Sequence, residues 1–600
     1  MHTPPAPVPL DLTQILPPPL RPWSRQLEPV LYRLFVPEEV SSGLRHARSA
    51  GTGAQFVRSL LEYLDIRFQQ EPADLARIPV TGPAVVVANH PFGIAEGLLL
   101  AVVLDRIRPD WKILTNSVLS GITEMREYLM PVNPFETAEA GVQNRVPLRR
   151  SIEWLKGGGI LAIFPAGEVA HMDWKQHSVT DPRWKNTAAR LALRAGCPVV
   201  PIFIEGANSL YFQAAGVLHP VLRTVSLVRE LAGLSGKTLR FRVGTPVSGA
   251  IMRSCPDAAS VTAYLRSRTL LLAHRSDPAP IRPIRLARLR MPQTIAAAQS
   301  KQHLVEEVAG LPAENELARQ GDLSVYIAAA QQIPCLLREI GRCREVTFRE
   351  AGEGTGKPAD LDSFDRYYQH LFLWDRPAGC LAGAYRLAVT TDVLPRFGVK
   401  GLYTSTLFHF QARFFQGLGP AFELGRSFVR KEYRKDFAPL LLLWKGITRM
   451  VLRRPGAPVL FGAVSISREY RAASRGLIAA FLSGRTLHPL AEFVAPRRRF
   501  RDPSLRDPQV RQLAAMAEGI EDLSPAIADI EQDGKGIPVL IRQYLKTGGR
   551  LLGLSVDPHF SHTLDALILA DLRSAPPPLL ERCMGRREAA QFLAKQSAAN

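Results

Sequence analysis

The sequence predicts an α/β chain built from two successive domains. The first half carries short apolar runs separated by stretches of helical spacing. A proline- and arginine-rich stretch follows near the middle, and beyond it the strand-like segments lengthen and aromatic residues become denser. With 600 residues, 46% of them hydrophobic and 22% charged, the chain has ample apolar side chain for two large cores. Disorder over the whole chain is excluded.

Residues 1–22 hold seven prolines between Pro4 and Pro19. Proline breaks a helix and the stretch lacks the apolar core of a signal peptide, so an extended tail is expected. From Leu27 to about Gln70 the apolar spacing is helical, as in Phe56, Leu60, Leu61, Leu64 and Phe68. The runs Ala84–Ala88, Ile160–Phe164 and Val199–Ile204 read as strands buried on both faces. They alternate with helices over Leu148–Lys156 and Asn186–Arg194, which argues a mostly parallel sheet in a domain spanning 23–277. Residues 278–294, which take in most of the run DPAPIRPIRLARLRMP from Asp277 to Pro292, read as a basic linker. Residues 295–600 form the second α/β domain, with Tyr367, Tyr368, Phe372, Trp374, Phe408, Phe410, Phe414 and Phe415 among its aromatic residues. The halves share no repeat.

Seventy-five basic residues stand against 55 acidic ones, a net charge of +20. Such a balance favours nucleic acid, an anionic membrane face or an acidic carrier protein. No nucleic-acid motif is present, so no nucleic-acid partner is expected. The clusters Arg282, Arg285, Arg288, Arg290 and Arg497–Arg501 suit an anionic lipid surface, where each charge contributes ~1 kcal/mol. The longest apolar stretches, Gly97–Leu104 and Ala438–Trp444, fall far short of the ~20 residues a spanning helix needs. The expectation is a cytoplasmic protein, peripheral on the inner face of the cytoplasmic membrane. The six cysteines, of which Cys335 and Cys343 are the closest pair, match no zinc or redox spacing. Free thiols, no metal and no cofactor are expected.

From Val85 the chain reads VVVANHPFGIAEG, placing Asn89 and His90 just past a strand and Glu96 at the start of the next helix. Carboxyl ends of parallel strands are where α/β sheets hold ligands. A histidine oriented by a carboxylate can take a proton from a hydroxyl. The segments ILAIFPAGE, ending at Glu168, and VVPIFIEG, with Glu205 at the strand end, fit the same site. In order and spacing these three segments resemble the glycerolipid (lysophospholipid) acyltransferases over residues 75–250. The resemblance implies His90 as general base, Glu96 as its partner, and Asn89, Phe164, Pro165, Gly167 and Glu168 as substrate contacts, the last four in the acceptor pocket. Two departures are notable. The family's aspartate five residues after the histidine is Ala95 here, with Glu96 one step later. Its Phe-Pro-Glu-Gly-Thr-Arg-Ser turn is replaced by FPAGEVAH, which argues against a glycerol-phosphate acceptor.

The second half carries Glu339–Glu350 with Arg342, Asp362–Asp375 with Asp365, and Ala421–Val429 with Glu423 and Arg426. Between Arg426 and Arg454 lie nine basic residues against two acidic ones, a patch suited to phosphate or an acidic carrier. This order resembles the lyso-ornithine-lipid N-acyltransferases, a hemolysin-like branch of the GNAT fold, over residues 295–480. The resemblance implies a glycerolipid-acyltransferase-like domain followed by a GNAT-like one. Arg342, Asp362, Asp365, Asp375, Glu423 and Arg426 are its site candidates, with Glu423 as proton acceptor and Arg426 as anion contact. No glycine-rich coenzyme loop is evident, consistent with acyl carrier protein as donor.

Joined, the halves resemble the bifunctional ornithine-lipid synthases. The second domain would N-acylate ornithine with a 3-hydroxyacyl group, and the first would O-acylate the resulting lyso-ornithine lipid. The alternatives are an acyltransferase for another amino-acid lipid, such as glycine or lysine, one for a lysophospholipid, or a non-catalytic membrane-associated scaffold.

Overall fold

A computed structural model of the chain describes residues 36–116, 121–133, 138–173, 178–213, 220–276, 292–435, 438–454 and 456–597. The proline-rich segment 1–22 and the arginines at 282, 285, 288 and 290 lie outside these residues. The chain divides into two compact units, Met1–Ser276 and Asp277–Asn600.

The first unit is a seven-stranded sheet. Its strands are β1 (Arg67–Gln69), β2 (Ala84–Ala88), β3 (Trp111–Asn116), β4 (Leu129–Val132), β5 (Ile160–Ile163), β8 (Val199–Ile204) and β9 (Thr238–Val243). A separate hairpin, β6 (His171–Asp173) with β7 (Ser178–Thr180), lies between β5 and β8 in the chain. The sheet order is β1-β9-β8-β2-β5-β3-β4, parallel throughout except between β8 and β9. The three apolar runs thus stand side by side at its centre, and Val85, Val86 and Val87 are wholly buried, as strands covered on both faces must be.

The helical run expected from Leu27 to Gln70 is corrected. Its described part is two helices, α1 (Glu38–Arg48) and α2 (Gly53–Tyr63), followed by strand β1, which carries Phe68. Gly51 and Gly53, both at positive φ, break the run. Pairing of β1 with β9, some 170 residues away, makes Phe68 a strand residue, which local spacing does not reveal.

The chain leaves β2 through helix α3 (Ala95–Ile107) toward β3, and leaves β5 through helix α4 (Thr187–Ala195) toward β8. These connections run to opposite sides of the β2–β5 pair. A crevice therefore opens at the carboxyl ends of those two strands.

The second unit is an eight-stranded sheet of β10 (Glu316–Gln320), β11 (Leu323–Ala329), β12 (Gln369–Asp375), β13 (Cys380–Val389), β15 (Ala421–Val429), β16 (Val459–Ile466), β18 (Arg550–Asp557) and β19 (Thr563–Asp571). A short β14 (Phe408–Phe410) pairs separately with β17 (Val494–Pro496). The order is β10-β11-β12-β13-β15-β16-β19-β18. Helix α5 (Pro334–Glu350) packs Leu336 and Ile340 on the Phe372 and Trp374 face. Helix α6 (Ala438–Arg453) brings Gly446 against Val325 and Leu371 on the opposite face. All neighbouring strands are antiparallel except β15 and β16, which pair only from Ala421↔Val459 to Glu423↔Phe461. Beyond Glu423 the two strands part. A Cβ on Gly462 would stand 2.1 Å from the Leu424 carbonyl oxygen, so glycine is required where the strands converge before the split.

Among the described residues, the hydrogen bonding of this unit begins at Gln293, whose N–H donates to Gly356 O (2.9 Å), with Ala296 N–H donating to Pro358 O (2.9 Å). Residues 293 and 294 therefore already belong to the second fold rather than to a free linker.

Candidate active sites

In the first unit, β2 ends at Ala88 and the chain turns through Asn89 and His90 into α3. The Asn89 amide caps the strand's edge: its Nδ2 donates to Ile204 O (2.8 Å) and its Oδ1 accepts from Ile204 N (2.7 Å). It is a staple between β2 and β8, and both halves of its amide are taken up by that role. Gly93 has φ +96, and a Cβ there would fall 2.7 Å from Leu227 and 2.9 Å from Val169, so no other residue fits this turn.

The tight turn brings Glu96, in the first turn of α3, back under His90. Glu96 is wholly buried, and its Oε1 accepts from Phe92 N (3.0 Å) and Gly93 N (2.8 Å). The same oxygen lies 2.6 Å from His90 Nδ1. The one-residue displacement noted in the sequence is absorbed by the longer glutamate side chain. His90 keeps 14% of its side chain exposed, and its ring stacks on Phe164 from the end of β5, centroids 4.5 Å apart at 19°. With Nδ1 against the Glu96 carboxylate at ion-pair distance, Nε2 is the nitrogen left for a substrate proton.

The Phe164–Glu168 segment is a tight turn: Gly167 N donates to Phe164 O (3.0 Å) at φ +69, and Pro165 O accepts from Lys185 N (2.8 Å). Glu168 is exposed, and Glu205 pairs with Arg242 (2.8 Å).

Sequence reasoning missed Asp181. Its Oδ1 accepts from the His90 backbone N–H (3.0 Å) and its Oδ2 from Trp184 Nε1 (2.9 Å), while Arg266 donates to its carbonyl (3.1 Å). Burial pushes this carboxyl above the ordinary range. Its separation of 91 residues from His90 hides the contact, and the signal was slight: an acid and a tryptophan in Asp-Pro-Arg-Trp after a short strand.

In the second unit the candidates fall into separate groups. Glu423 lies on β15 at the vertex of the split, nearly wholly buried. Its Oε1 accepts from Thr404 N (2.7 Å), and its Oε2 from Tyr403 N (3.2 Å) and the Tyr368 hydroxyl. Burial raises its pKa. Both oxygens are aimed at the 401–404 segment and hold it in place.

Asp362 and Asp365 flank the buried Arg386. Its guanidinium lies 2.6 Å from Asp362 and 3.2 Å from Asp365, and Arg344 reaches Asp365 at 3.1 Å. The ring of His370 bonds Asp365 O (2.9 Å) through Nε2, and burial lowers its pKa to about 4. Burial opposes ionisation of Asp365, but Arg344 and Arg386 outweigh it and hold the carboxyl below its usual range. This is an internal ion network, and Arg344 and Arg386 were not singled out from sequence because an isolated arginine carries no spacing signal.

Arg342 pairs with Glu339 on the same helix (2.6 Å). Asp375 accepts from the Tyr433 hydroxyl (2.7 Å) at the far end of the β12–β13 hairpin. Cys380, its partner in register, lies eight residues along β13 from Ala388, which faces Glu423. That is about 26 Å of strand. The structure does not bring Arg342 or Asp375 to Glu423.

Arg426 occupies the bulge where β15 shifts register against β13, at φ +49. Its guanidinium carbon sits 4.9 Å from the Tyr403 ring centroid and 4.7 Å from that of Phe560, and its Nε is 3.4 Å from Asp360. It points into the split rather than to the surface. Most of the basic run that follows is paired: Arg430 with Glu432 (3.2 Å), Arg449 with Glu588 (3.5 Å), Arg454 with Asp392 (3.1 Å), and Arg453 on Glu314 O (2.6 Å). The expected cationic patch thus shrinks. Lys431 and Lys435 have no ion-pair partner among the described residues.

Among the described residues, no group of three or more His, Cys, Asp or Glu could hold a metal ion, and no helix is long and apolar enough to cross a membrane.

Comparison with known proteins agrees with both halves. Residues 49–278 match the family model described as Acyltransferase, and residues 343–445 match the Acetyltransferase (GNAT) domain. A glycine N(alpha)-acyltransferase of Bacteroides thetaiotaomicron is 31% identical over 271 residues, covering 42% of this chain and 78% of that protein. A glycine N(alpha)-acyltransferase of Phocaeicola vulgatus is 34% identical over 170 residues, covering 26% of this chain and about half (52%) of that protein. A lyso-glycine lipid O-acyltransferase of the same organism is 24% identical over 203 residues, covering 32% of this chain and 69% of that protein. With an Acyltransferase match on the first fold, a GNAT match on the second and relatives of this closeness, the chain belongs to the acyltransferase family that includes these glycine N(alpha)-acyltransferases.

Proposed function

We propose that the chain is a bifunctional acyltransferase of amino-acid lipid synthesis. The second unit N-acylates ornithine with a 3-hydroxyacyl group from acyl carrier protein, and the first O-acylates the 3-hydroxyl of the lyso-ornithine lipid. The observation that carries this reading is a single chain similar both to a glycine N(alpha)-acyltransferase and to a lyso-glycine lipid O-acyltransferase, two proteins in Phocaeicola vulgatus.

In the first unit, His90 Nε2 takes the hydroxyl proton as the oxygen attacks the thioester carbon. The carbon–sulfur bond breaks, and the departing thiolate recovers the proton from the imidazolium. Glu96 fixes the ring through Nδ1 and stabilises its charged form, while Phe164 limits its rotation and the turn from Pro165 through Gly167 to Glu168 borders the acceptor. In the second unit the amine is itself the nucleophile. Its nitrogen bonds the thioester carbon, the thiol leaves with the proton, and the protein chiefly positions the partners. Glu423 holds the 401–404 segment beside this site, and Arg426 meets an anionic group of the acceptor. The order is fixed by chemistry, because the hydroxyl arrives with the first acyl group. A peripheral position on an anionic membrane surface would give both steps access to the lipid.

The test is expression of the full chain in a bacterial host that makes no amino-acid lipids, followed by mass spectrometry of extracted lipid. A diacylated amino-acid lipid with one amide and one ester is expected. An unchanged lipid profile, or altered glycerophospholipids alone, overturns the reading.

A further inference from the structure

The β2 strand ends at Ala88, so no strand pairing fixes the peptide of His90 two residues further on. The β6–β7 hairpin supplies what the sheet does not. The pair at its open end is His171↔Thr180. One residue beyond that pair on each side, the chain grips the His90 backbone. Ala170 N–H donates to His90 O (2.8 Å), and Asp181 Oδ1 accepts from His90 N–H (3.0 Å). Both main-chain polar groups of residue 90 are thereby bonded to the two ends of one hairpin. The ring is held separately, with Nδ1 2.6 Å from Glu96 and its face on Phe164. Among the described residues, Nε2 is the one polar atom of His90 left without a partner.

Asp181 is itself built into place. It is 4% exposed, and its second oxygen accepts from Trp184 Nε1 (2.9 Å), on a side chain equally buried. Arg266, on the helix Ala258–Leu271, donates to its carbonyl (3.1 Å). Lys185 N–H donates to Pro165 O (2.8 Å), which ties the same segment to the turn after Phe164. A carboxylate taken out of water must have its oxygens satisfied, and here each oxygen meets one N–H. The choice of side chain follows from that count. An asparagine offers a single acceptor oxygen, so one of the two N–H groups would face an amide N–H instead. Asp181 does not touch the reacting atoms, and its effect passes through the base. A turn of the residue 90 peptide swings the whole ring, whereas a working base must be held within about 0.5 Å and 10–20°.

We infer that Asp181 is a positioning residue of O-acylation: by accepting the His90 N–H, it sets the direction in which Nε2 meets the acceptor hydroxyl. It acts as a hydrogen-bond acceptor for the backbone, not as a second counter-charge for the ring. This rests on the base role proposed above for His90 and adds what aims that base.

The experiment follows ester formation by the purified full chain, with an acyl carrier-protein thioester and synthetic lyso-ornithine lipid in detergent micelles. Asp181→Ala should lower kcat about 10- to 100-fold, the scale of a 1 Å misplacement, while KM for the lyso-lipid moves less than about twofold. Asp181→Asn should lose a comparable amount. Adding Trp184→Phe to Asp181→Asn removes the second donor and frees the amide oxygen for His90. That double variant should return to within about threefold of the kcat of Trp184→Phe alone. Wild-type kcat in Asp181→Ala, a loss carried by KM alone, or a double variant no better than Asp181→Asn overturns the inference. Should Asp181→Ala fail to fold, the comparison of the two asparagine variants decides it. His90→Ala separates the two levels. Full ester formation in that variant, or none by the wild type, removes the base role and this inference together. Loss in His90→Ala with undiminished kcat in the Asp181 variants removes this inference alone.

Discussion

In the first unit the histidine and its carboxylate stand six residues apart on one strand–turn–helix, whereas the groups in contact with Arg426 come from residues 360, 403 and 560. The difference follows the chemistry proposed for each. A hydroxyl needs a base, and a base needs its partner at hydrogen-bond distance, so a short turn that fixes both is the economical solution. An amine, once free of its proton, is itself the nucleophile and needs chiefly to be held, which groups drawn from several segments can do.

The largest expected effect tests the local dyad. His90→Ala should lower O-acylation by about 10³-fold, within the range for loss of a general base, and leave amide formation intact. Accumulation of monoacyl product in lipid extracts is the readout, and persistence of diacyl lipid at wild-type level would break the contrast. Glu96→Gln should cost less, about 10- to 100-fold in O-acylation, because the amide oxygen can still accept from Phe92 and Gly93 while the imidazolium loses its counter-charge. Equal losses in both variants would mean that Glu96 does more than orient the ring.

The distributed network answers to pH instead. His370 has a folded-state pKa of about 4 against an ordinary value near 6.5. The unfolded chain therefore binds the proton first, so stability is full above pH 6.5 and falls as pH drops toward 4. For the second unit this amounts to roughly 1 kcal/mol by pH 5.5. Thermal unfolding between pH 7 and 5 should show a steeper fall for wild type than for His370→Gln. Parallel curves would place His370 outside the network. The smallest effect concerns the donor: Lys431→Glu combined with Lys435→Glu should raise the apparent KM for acyl carrier protein about threefold at low salt, and less at high salt. A KM unmoved at either salt would detach the basic run from donor binding.

The same contrast explains what was legible in the sequence. Buried parallel strands announce themselves as unbroken apolar runs, so β2, β5 and β8 could be read, and His90, Glu96 and Phe164 with them. Helical spacing misled at Phe68 because pairing with β9 overrides local periodicity. Asn89 looked like a substrate contact until the structure showed its amide bridging two strands. In the second unit, Asp362 and Asp365 could be seen as charged positions, but their arginine partners stand 21 and 24 residues away or more.

The two units are contiguous, one ending at Ser276 and the other beginning at Asp277. On the proposed division of labour, the ribosome therefore makes the consumer of the intermediate before its producer. At ~5–20 residues per second, the first unit has on the order of 15–60 s to fold while the roughly 300 remaining residues are translated. A chain cut short by premature termination in that interval would carry the esterifying unit without the amide-forming one. Truncated translation products would thus release no single-tailed, detergent-like lipid into the membrane, a safeguard that the reverse gene order would lack.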